Sequence, residues 1–303
     1  MTQIPRRRHN PADVTLSPAM EDYLKAIFNL TREGESASTQ SLATRLEVSP
    51  ASATKMMKRL AESRLVVHEP YQGVRLTESG QKIAVEILRH HRLLELYLTQ
   101  ALGYSWDEVH EEAERLEHYI SEKLEARICE FLGNPSFDPH GSPIPTLDGE
   151  LPQRALIRLD ESTVNELYQV ARVKEPVGIY LQELDKVGLI PGVTVVTFGR
   201  PQGGKVHLKI GRKEHLVDPC LCENILCRPA SQECFPAEDS LVGERVQIAQ
   251  LRGGQKAALE AFGLALSSTL ERTDSGYLHL DTDRRVSSDA LDSVLVEALS
   301  PAS

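Results

Sequence analysis

Three short helical segments and a hairpin signal within residues 18–77 constrain this chain more than any other feature. Apolar residues recur at helical spacing after Ser17-Pro18, a cap followed by a first-turn proline, and Ser49 caps the third segment. The predicted elements are helices over 18–30, 39–46 and 49–63 and strands over 65–68 and 74–77. Helix, turn, helix and hairpin in this order predict a winged helix-turn-helix.

In such a unit the second helix of the pair enters the major groove of DNA and the hairpin lies on the adjacent backbone. The exposed face of the third segment has short hydroxyls near its start and cations further along, which suits contacts to base edges and phosphates. The predicted DNA-contacting residues are Ser49, Ser52, Thr54, Lys55, Lys58, Arg59 and, on the hairpin, Tyr71 and Arg75. The alternative is a helical face that is only solvated, or a winged helix that contacts protein.

Charge is unevenly distributed along the chain. The 34 Lys and Arg against 44 Asp and Glu give a net charge of −10, which excludes a protein that is basic throughout. Residues 1–80 carry 11 basic and 9 acidic residues, which leaves −12 for the remainder. We therefore expect contact with a polyanion at the N-terminal end alone, including the Arg6-Arg7-Arg8 arm.

A helical region follows the hairpin, with amphipathic helices predicted over 78–101, 105–118 and 121–132. Residues 105–126 hold eight acidic side chains against Arg115 and Lys123. Acidic side chains at this density repel one another unless cations or a binding partner neutralise their charge.

Histidines and carboxylates in this region have a spacing typical of metal ligands. The candidates are His91, Glu95, His110, Glu114, Glu117, His118 and, on the first helix, Asp22. The four from 110 to 118 fall within roughly 100° of arc on one helical face. Carboxylates with one or two imidazoles and no sulfur favour Mn²⁺ or Fe²⁺. The alternative is a solvated acidic face with incidental histidines.

Enzyme templates that use similar residues do not fit. A zinc protease needs H-E-x-x-H, but Glu114 stands four residues after His110. A ferritin-type di-iron oxidase needs Glu-x-x-His twice, but Arg115 stands three residues before His118. The chain also has no P-loop, no G-x-G-x-x-G after a strand and no G-x-S-x-G elbow. We therefore predict that it is not an enzyme.

The C-terminal half contains an internal repeat. The segment 184–189 corresponds to 259–264, and 222–227 corresponds to 291–296. Each copy has short alternating strands and one helix, which predicts two small SH3-like β-barrel domains in tandem. Cys222 and Cys227 align with Leu291 and Val296, so packing is favoured over a thiolate metal site, and the C-x-C-x4-C-x6-C spacing matches no standard zinc pattern.

The predicted fold is therefore a mainly α N-terminal half, made of a winged helix-turn-helix and a helical dimerisation domain, followed by two SH3-like domains. The predicted boundaries are a flexible arm (1–17), the winged helix (18–80), the helical domain (81–145) and the two barrels (152–230 and 239–300). No apolar run is long enough to span a bilayer, no signal-type segment opens the chain, and five cysteines do not form a disulfide framework. We expect a cytoplasmic protein.

Six motifs between residues 16 and 230 resemble the diphtheria toxin repressor family of metal-dependent transcription regulators, and in particular its manganese transport regulator branch. Four of them are segments 20–24, 48–54, 73–80 and 90–95. The two most specific are Val109-His-Glu-Glu-Ala-Glu-Arg-Leu-Glu-His118 and Asp138-Pro-His-Gly-Ser-Pro-Ile-Pro145.

The resemblance implies a homodimer whose metal-loaded form binds a palindromic operator in double-stranded DNA and represses metal-uptake genes. It implies a principal metal site at Asp22, Glu114, Glu117 and His118, where iron-responsive relatives have methionine and cysteine at the first two positions. In one branch a second site matches His91, Glu95 and His110. In relatives with the barrel, His140, the residue at Asp138 and a barrel acid, for which Glu175 is the candidate, contribute instead.

Two departures from the family pattern stand out. Lys25 occupies the position of a second-site glutamate in the manganese regulators, which puts a binuclear centre of that type in doubt. The second barrel exceeds what the usual family member carries.

Two other functions fit the sequence: a winged-helix repressor that responds to an organic ligand, and a metal buffer or transport accessory protein without a DNA target.

Overall fold

The computed structural model describes residues 16–69, 73–174, 178–199, 204–251, 259, 261–291 and 294–299. These residues belong to two compact units. The first unit comprises Met1–Leu94, Ala113–Ser136 and Pro143–Pro152, and the second comprises Glu95–Glu112, Phe137–Ser142 and Gln153–Ser303. Three predicted features, Tyr71, Glu175 and the Arg6-Arg7-Arg8 arm, lie outside the described residues. None of the described helices has both the length and the apolar character that crossing a bilayer requires.

The first unit begins with the predicted winged helix-turn-helix. Its elements are α1 (Pro18–Arg32), α2 (Thr39–Arg45), α3 (Pro50–Glu62), β1 (Val66–Glu69) and β2 (Gly73–Leu76). Ser49 caps α3, since its hydroxyl accepts a hydrogen bond from the Ser52 amide, whereas the Ser17 side chain makes no cap bond to α1. Leu24, Leu42 and Leu60 are fully buried in one core shared by the three helices.

The hairpin of the winged helix is antiparallel, and Val66 pairs with Leu76 in it. Gly73 begins β2 with φ +87°, and a Cβ at this position would collide with the backbone of Ala37. Glycine is therefore required at Gly73 for both its conformation and its lack of a side chain.

Three helices follow the hairpin: α4 (Glu78–Leu102), α5 (Val109–Leu116) and α6 (Glu122–Phe131). The helix predicted from Ser105 is shorter than expected, because it starts at Val109 and ends at Leu116. Glu117 and His118 consequently lie in the turn after α5 rather than within one regular helical stripe. The amide of Glu117 still bonds to the Ala113 carbonyl, so the turn continues the helical path by one residue.

A buried guanidinium holds α4 and α6 together in the first unit. Arg89 Nε lies 2.5 Å from Glu125 Oε1, and Arg89 Nη1 donates to the Pro145 carbonyl at 2.6 Å. A buried ion pair of this kind fixes geometry, because loss of one partner leaves an uncompensated charge.

The second unit contains two six-stranded antiparallel sheets. The first sheet consists of β3 (Ile157–Arg158), β4 (Leu167–Val173), β5 (Thr194–Gly199), β6 (Val206–Ile210), β7 (Lys213–Val217) and β8 (Ile225–Pro229), with α7 (Gly178–Val187) and α8 (Cys220–Glu223) between its strands. The second sheet consists of β9 (Cys234–Pro236), β10 (Arg245–Leu251), β11 (Thr269–Thr273), β12 (Gly276–His279), β13 (Arg284–Val286) and β14 (Val294–Ala298). The strand orders are β3-β8-β4-β5-β6-β7 and β9-β14-β10-β11-β12-β13. The two sheets therefore have the same topology, as the repeat predicted.

The pairing register confirms the repeat at the level of single residues. Val170 pairs with Cys227 and Ile248 pairs with Val296, and each pair is followed by a register shift at the same step. The same backbone hydrogen bond also occurs in both copies. The Leu189 amide donates to the Leu184 carbonyl at 2.9 Å, and the Leu264 amide donates to the Leu259 carbonyl at 2.8 Å. The predicted fold class, a helical half followed by two SH3-like β-domains, is confirmed.

The cysteines of the first sheet domain pack as apolar side chains. Cys222, Cys227 and Cys234 are buried and Cys220 is exposed, and none of these four described cysteines forms a disulfide. Burial raises the pKa of Cys227 and of Cys234 to about 12, which disfavours the thiolate that a metal needs. Among the described residues, no group of potential metal ligands includes a cysteine.

We expect Cys227→Val to preserve the fold, because the second sheet domain already has Val296 at the equivalent position. The free energy of unfolding, measured with urea, should fall by less than about 1.5 kcal/mol, as for other volume-conserving core changes. Cys220→Val controls for loss of an exposed thiol. A loss of several kcal/mol, accompanied by release of zinc, would contradict the packing role.

Candidate metal centre

Asp22, Glu117 and His118 come together in the first unit. Asp22 projects from α1, and the other two lie in the turn after α5. Their potential ligand atoms all lie within 4.8 Å of one another. His118 Nε2 is 3.0 Å from Asp22 Oδ1 and 3.6 Å from Glu117 Oε1. The structure therefore gathers three of the four side chains predicted for the principal metal site.

The ring of His118 is oriented by Glu21, a residue that the sequence analysis did not single out. His118 Nδ1 lies 2.7 Å from Glu21 Oε2, so Nε2 faces the other two carboxylates. A carboxylate on the second ring nitrogen is the usual support for a metal-binding histidine. Burial opposes protonation of this ring, but its contacts with the carboxylates of Asp22 and Glu21 and the charge of Glu117 outweigh it and raise the pKa of His118 to about 10.

The donor set of this cluster fits a hard divalent ion. Two carboxylates and one imidazole are ligands that Mn²⁺ and Fe²⁺ accept. Asp22 Oδ1 is buried, and among the described residues no donor meets it with hydrogen-bond geometry, although His118 Nε2 is close. A buried carboxylate oxygen without a satisfied partner is costly in a folded protein, and a bound cation would satisfy it.

Glu117 is the most deeply buried member of the cluster, and its side chain has no exposed surface. Its Oε1 lies 2.6 Å from Lys25 Nζ, and its Oε2 lies 2.6 Å from His91 Nδ1. Glu114, the fourth predicted ligand, lies 2.7 Å from the same ammonium through Oε1. Burial lowers the pKa of Lys25, but the charges of Glu117 and Glu114 outweigh it and raise that pKa above its ordinary value. Lys25 is therefore a buried cation between two predicted metal ligands.

A second cluster lies in the second unit and consists of Glu95, Asp138 and His140, all buried, with potential ligand atoms within 4.8 Å of one another. His140 Nδ1 is 3.7 Å from Glu95 Oε2, and His110 Nδ1 is 3.0 Å from Glu95 Oε1. Asp138 Oδ1 accepts hydrogen bonds from the amides of His140 and Ser142, each at 2.9 Å.

His140 is oriented in the same manner as His118. Its Nε2 lies 2.7 Å from the Trp106 carbonyl oxygen, so Nδ1 faces Glu95. Burial disfavours the charged ring, but the charge and hydrogen bond of Glu95 raise the pKa of His140 to about 9. The family resemblance alone predicts Asp138 as a ligand of the second site. Glu175, the candidate acid from the barrel, lies outside the described residues.

The candidate DNA-contacting residues of α3 are all exposed: Ser49, Ser52, Thr54, Lys55, Lys58 and Arg59. Two of the hydroxyls also serve the helix itself. Ser49 Oγ caps α3, and Thr54 Oγ1 donates to the Pro50 carbonyl at 2.9 Å. On the hairpin, Arg75 Nε lies 2.6 Å from Glu69 Oε1, although the side chain remains 59% exposed. The cations of α3 are thus the clearest candidates for phosphate contact.

Two family models match the chain in tandem. The iron dependent repressor N-terminal DNA binding domain matches residues 15–74, and the iron dependent repressor metal binding and dimerisation domain matches residues 77–146. Asp22 belongs to the first match, and Glu117 and His118 belong to the second.

Relatives and solved structures agree with the family models. The iron-dependent repressor IdeR of Mycobacterium leprae (strain TN) is 30% identical over 199 residues, which are 61% of this chain and 86% of the relative. The diphtheria toxin repressor of Corynebacterium diphtheriae is 36% identical over 128 residues, 42% of this chain and 57% of the relative. A structure of a manganese-dependent transcriptional repressor complex with manganese aligns with TM-score 0.64 and 34% identity, over 70% of this chain and 100% of that one. The chain therefore belongs to the iron-dependent repressor family that includes the diphtheria toxin repressor, as its motifs predicted.

Proposed function

We propose that this protein is a metal-dependent DNA-binding repressor that acts as a homodimer on an operator and responds to Mn²⁺, or to Fe²⁺, in the cytoplasm. One observation carries the proposal: Asp22 of the DNA-binding domain lies with Glu117 and His118 of the metal-binding domain in one cluster of potential ligands. The family consists of transcriptional repressors, not enzymes, which agrees with the failure of the enzyme templates.

The proposed mechanism couples α1 to the turn after α5. Asp22, Glu117 and His118 would hold the divalent ion, which would supply two positive charges at this cluster. Asp22 then holds α1 against the turn, and Glu21 keeps the His118 ring in its orientation. Met20 and Leu24 of α1 are fully buried in the core that also positions α3, so a restraint on α1 is a restraint on the DNA-binding helix. In a dimer, two DNA-binding domains restrained in this way can bind two operator half-sites that lie one helical turn of DNA apart, about 34 Å.

Manganese is favoured over iron by the residue types at two of the four predicted ligand positions. Asp22 and Glu114 stand where iron-responsive relatives are expected to have methionine and cysteine. Oxygen donors in place of sulfur suit a harder ion. The second cluster, Glu95, Asp138 and His140 with His110 beside Glu95, offers the same donor types and is proposed as a supporting site.

The two other functions that the sequence leaves open lack a comparable observation. A repressor with an organic ligand would bind its operator regardless of Mn²⁺ or a chelator. A metal buffer or transport accessory protein would not bind the operator under any condition. A gel shift with the promoter beside the protein's own gene, with and without Mn²⁺, separates both from the proposed function.

Asp22→Ala should abolish the Mn²⁺ response of operator binding and leave the dimer intact, because it removes the ligand that α1 contributes. The coupling lost is of the order of 1–3 kcal/mol, which corresponds to a change in operator affinity of roughly 5- to 150-fold. Gel shift titrations measure the affinity, and size-exclusion chromatography reports the dimer. Asp274→Ala, an exposed acid of the second sheet domain, is the control. A normal response in the Asp22 variant would remove this residue from the site.

Binding of Mn²⁺ should release protons near neutral pH. His118, with a pKa of about 10, is protonated at pH 7, and an ion at Nε2 must displace that proton. The apparent affinity should therefore rise with pH, by up to about ten-fold per unit for each proton released. Titration calorimetry in buffers of different ionisation enthalpy counts the protons. Binding without proton release at pH 7 would show that His118 is not a ligand.

Lys58→Ala should weaken operator binding and lower the slope of log affinity against log salt by about 1, since the exposed Lys58 is expected to neutralise one phosphate. Lys82→Ala is the matched control, because Lys82 is also exposed but pairs with Glu78 on α4. Fluorescence anisotropy across a salt series measures both slopes. Equal slopes in the two variants would exclude Lys58 from phosphate contact.

A further inference from the structure

Lys25 is a cation built into the first cluster. Its Nζ lies 2.7 Å from Glu114 Oε1 and 2.6 Å from Glu117 Oε1, so one ammonium bridges two carboxylates. The side chain of Lys25 is 11% exposed and that of Glu117 is fully buried. The Glu114 side chain is 38% exposed, so the contact to Glu117 is the buried one, and it is held by its surroundings, unlike a mobile surface pair.

Lys25 and Asp22 reach Glu117 from the same helix. They are three residues apart on α1 and therefore project from neighbouring positions on one face. Asp22 lies on the side of His118, and Lys25 lies on the side of Glu114. Lys25 Nζ and His118 Nε2 approach the same Glu117 oxygen, Oε1, at 2.6 and 3.6 Å, so an ion held by Asp22, Glu117 and His118 would lie close to the Lys25 ammonium.

The charges of this cluster match one divalent ion. With His118 neutral, as metal binding at its ring requires, the predicted carboxylate ligands Asp22, Glu114 and Glu117 contribute three negative charges and Lys25 contributes one positive charge, which leaves a net charge of minus two. Without the ammonium the same carboxylates would carry minus three, and a glutamate at this position would make it minus four. In a buried site, charge balance of this kind decides how many ions can bind.

We propose that Lys25 acts as an internal cation that limits this cluster to a single divalent ion and weakens its affinity for that ion. The inference rests on the proposed function, because it requires that the cluster binds metal at all. Lys25 would then set the metal concentration at which the protein responds: a positive charge fixed near the ion shifts that concentration upward.

Manganese stoichiometry in Lys25→Glu tests the proposal. The variant should bind one more Mn²⁺ per chain than the unaltered protein, measured by the loss of the free Mn²⁺ signal in electron paramagnetic resonance and by elemental analysis. The Glu95, Asp138 and His140 cluster is unchanged in both proteins, so the difference reports the Lys25 site. Lys82→Glu makes the same charge change at an exposed ion pair and should leave the number of bound ions unchanged.

Lys25→Met gives a second measurement that does not depend on the folding of a site with an added acid. This variant keeps the length of the side chain and removes its charge, so it should bind the same number of ions as the unaltered protein with a dissociation constant at least roughly ten-fold lower. Unchanged stoichiometry in Lys25→Glu together with unchanged affinity in Lys25→Met would overturn the inference. Absence of Mn²⁺ binding in the unaltered protein would instead overturn the proposed function.

Discussion

The buried carboxylate of Glu117 is the constraint on which the first unit depends. A charge with no exposure to water must be paired inside the protein, and removal of one partner of such a pair typically costs about 3–5 kcal/mol. Glu117 finds its partners on two helices: Lys25 on α1, at 2.6 Å, and His91 on α4, also at 2.6 Å. The requirement to pair one carboxylate therefore ties the helix that begins the winged domain to the helical domain that follows it.

This pairing also changes how the metal response is understood. From the sequence, the acidic residues around 105–126 were expected to repel one another unless a cation arrived. The structure supplies two protein cations at the point of contact, the Lys25 ammonium and a His118 ring whose pKa is raised to about 10. In the proposed mechanism His118 would give up its ring proton when metal binds, so that binding acts on a cluster whose charges are already paired and does not simply relieve repulsion. In this proposal the metal response would be tuned by Glu21, which orients His118, and by the Lys25 ammonium.

The second unit shows how a duplicated sheet domain can be joined to its copy. The Thr194 hydroxyl donates to the Cys234 carbonyl at 3.0 Å and accepts from the Cys234 amide at 3.1 Å, which links β5 of the first domain to β9 of the second. Arg212 forms a bidentate ion pair with Glu244 and lies over the ring of Phe235. These contacts are buried or half-buried, so the two domains are held by specific bonds as well as by the chain between them.

The sequence is sufficient to predict the helix order, the hairpin, the tandem repeat and the type of donor atoms, because periodicity, caps and repeated motifs are local properties of a chain. It also placed Asp22 with Glu117 and His118, through the family motifs. Tertiary structure alone decided that α5 ends at Leu116, that Glu21 orients His118, and that Lys25 bridges Glu114 and Glu117. The contacts of Glu21 and Lys25 join side chains about 90 residues apart in sequence, and the burial that makes their charges matter exists only once the helices have packed.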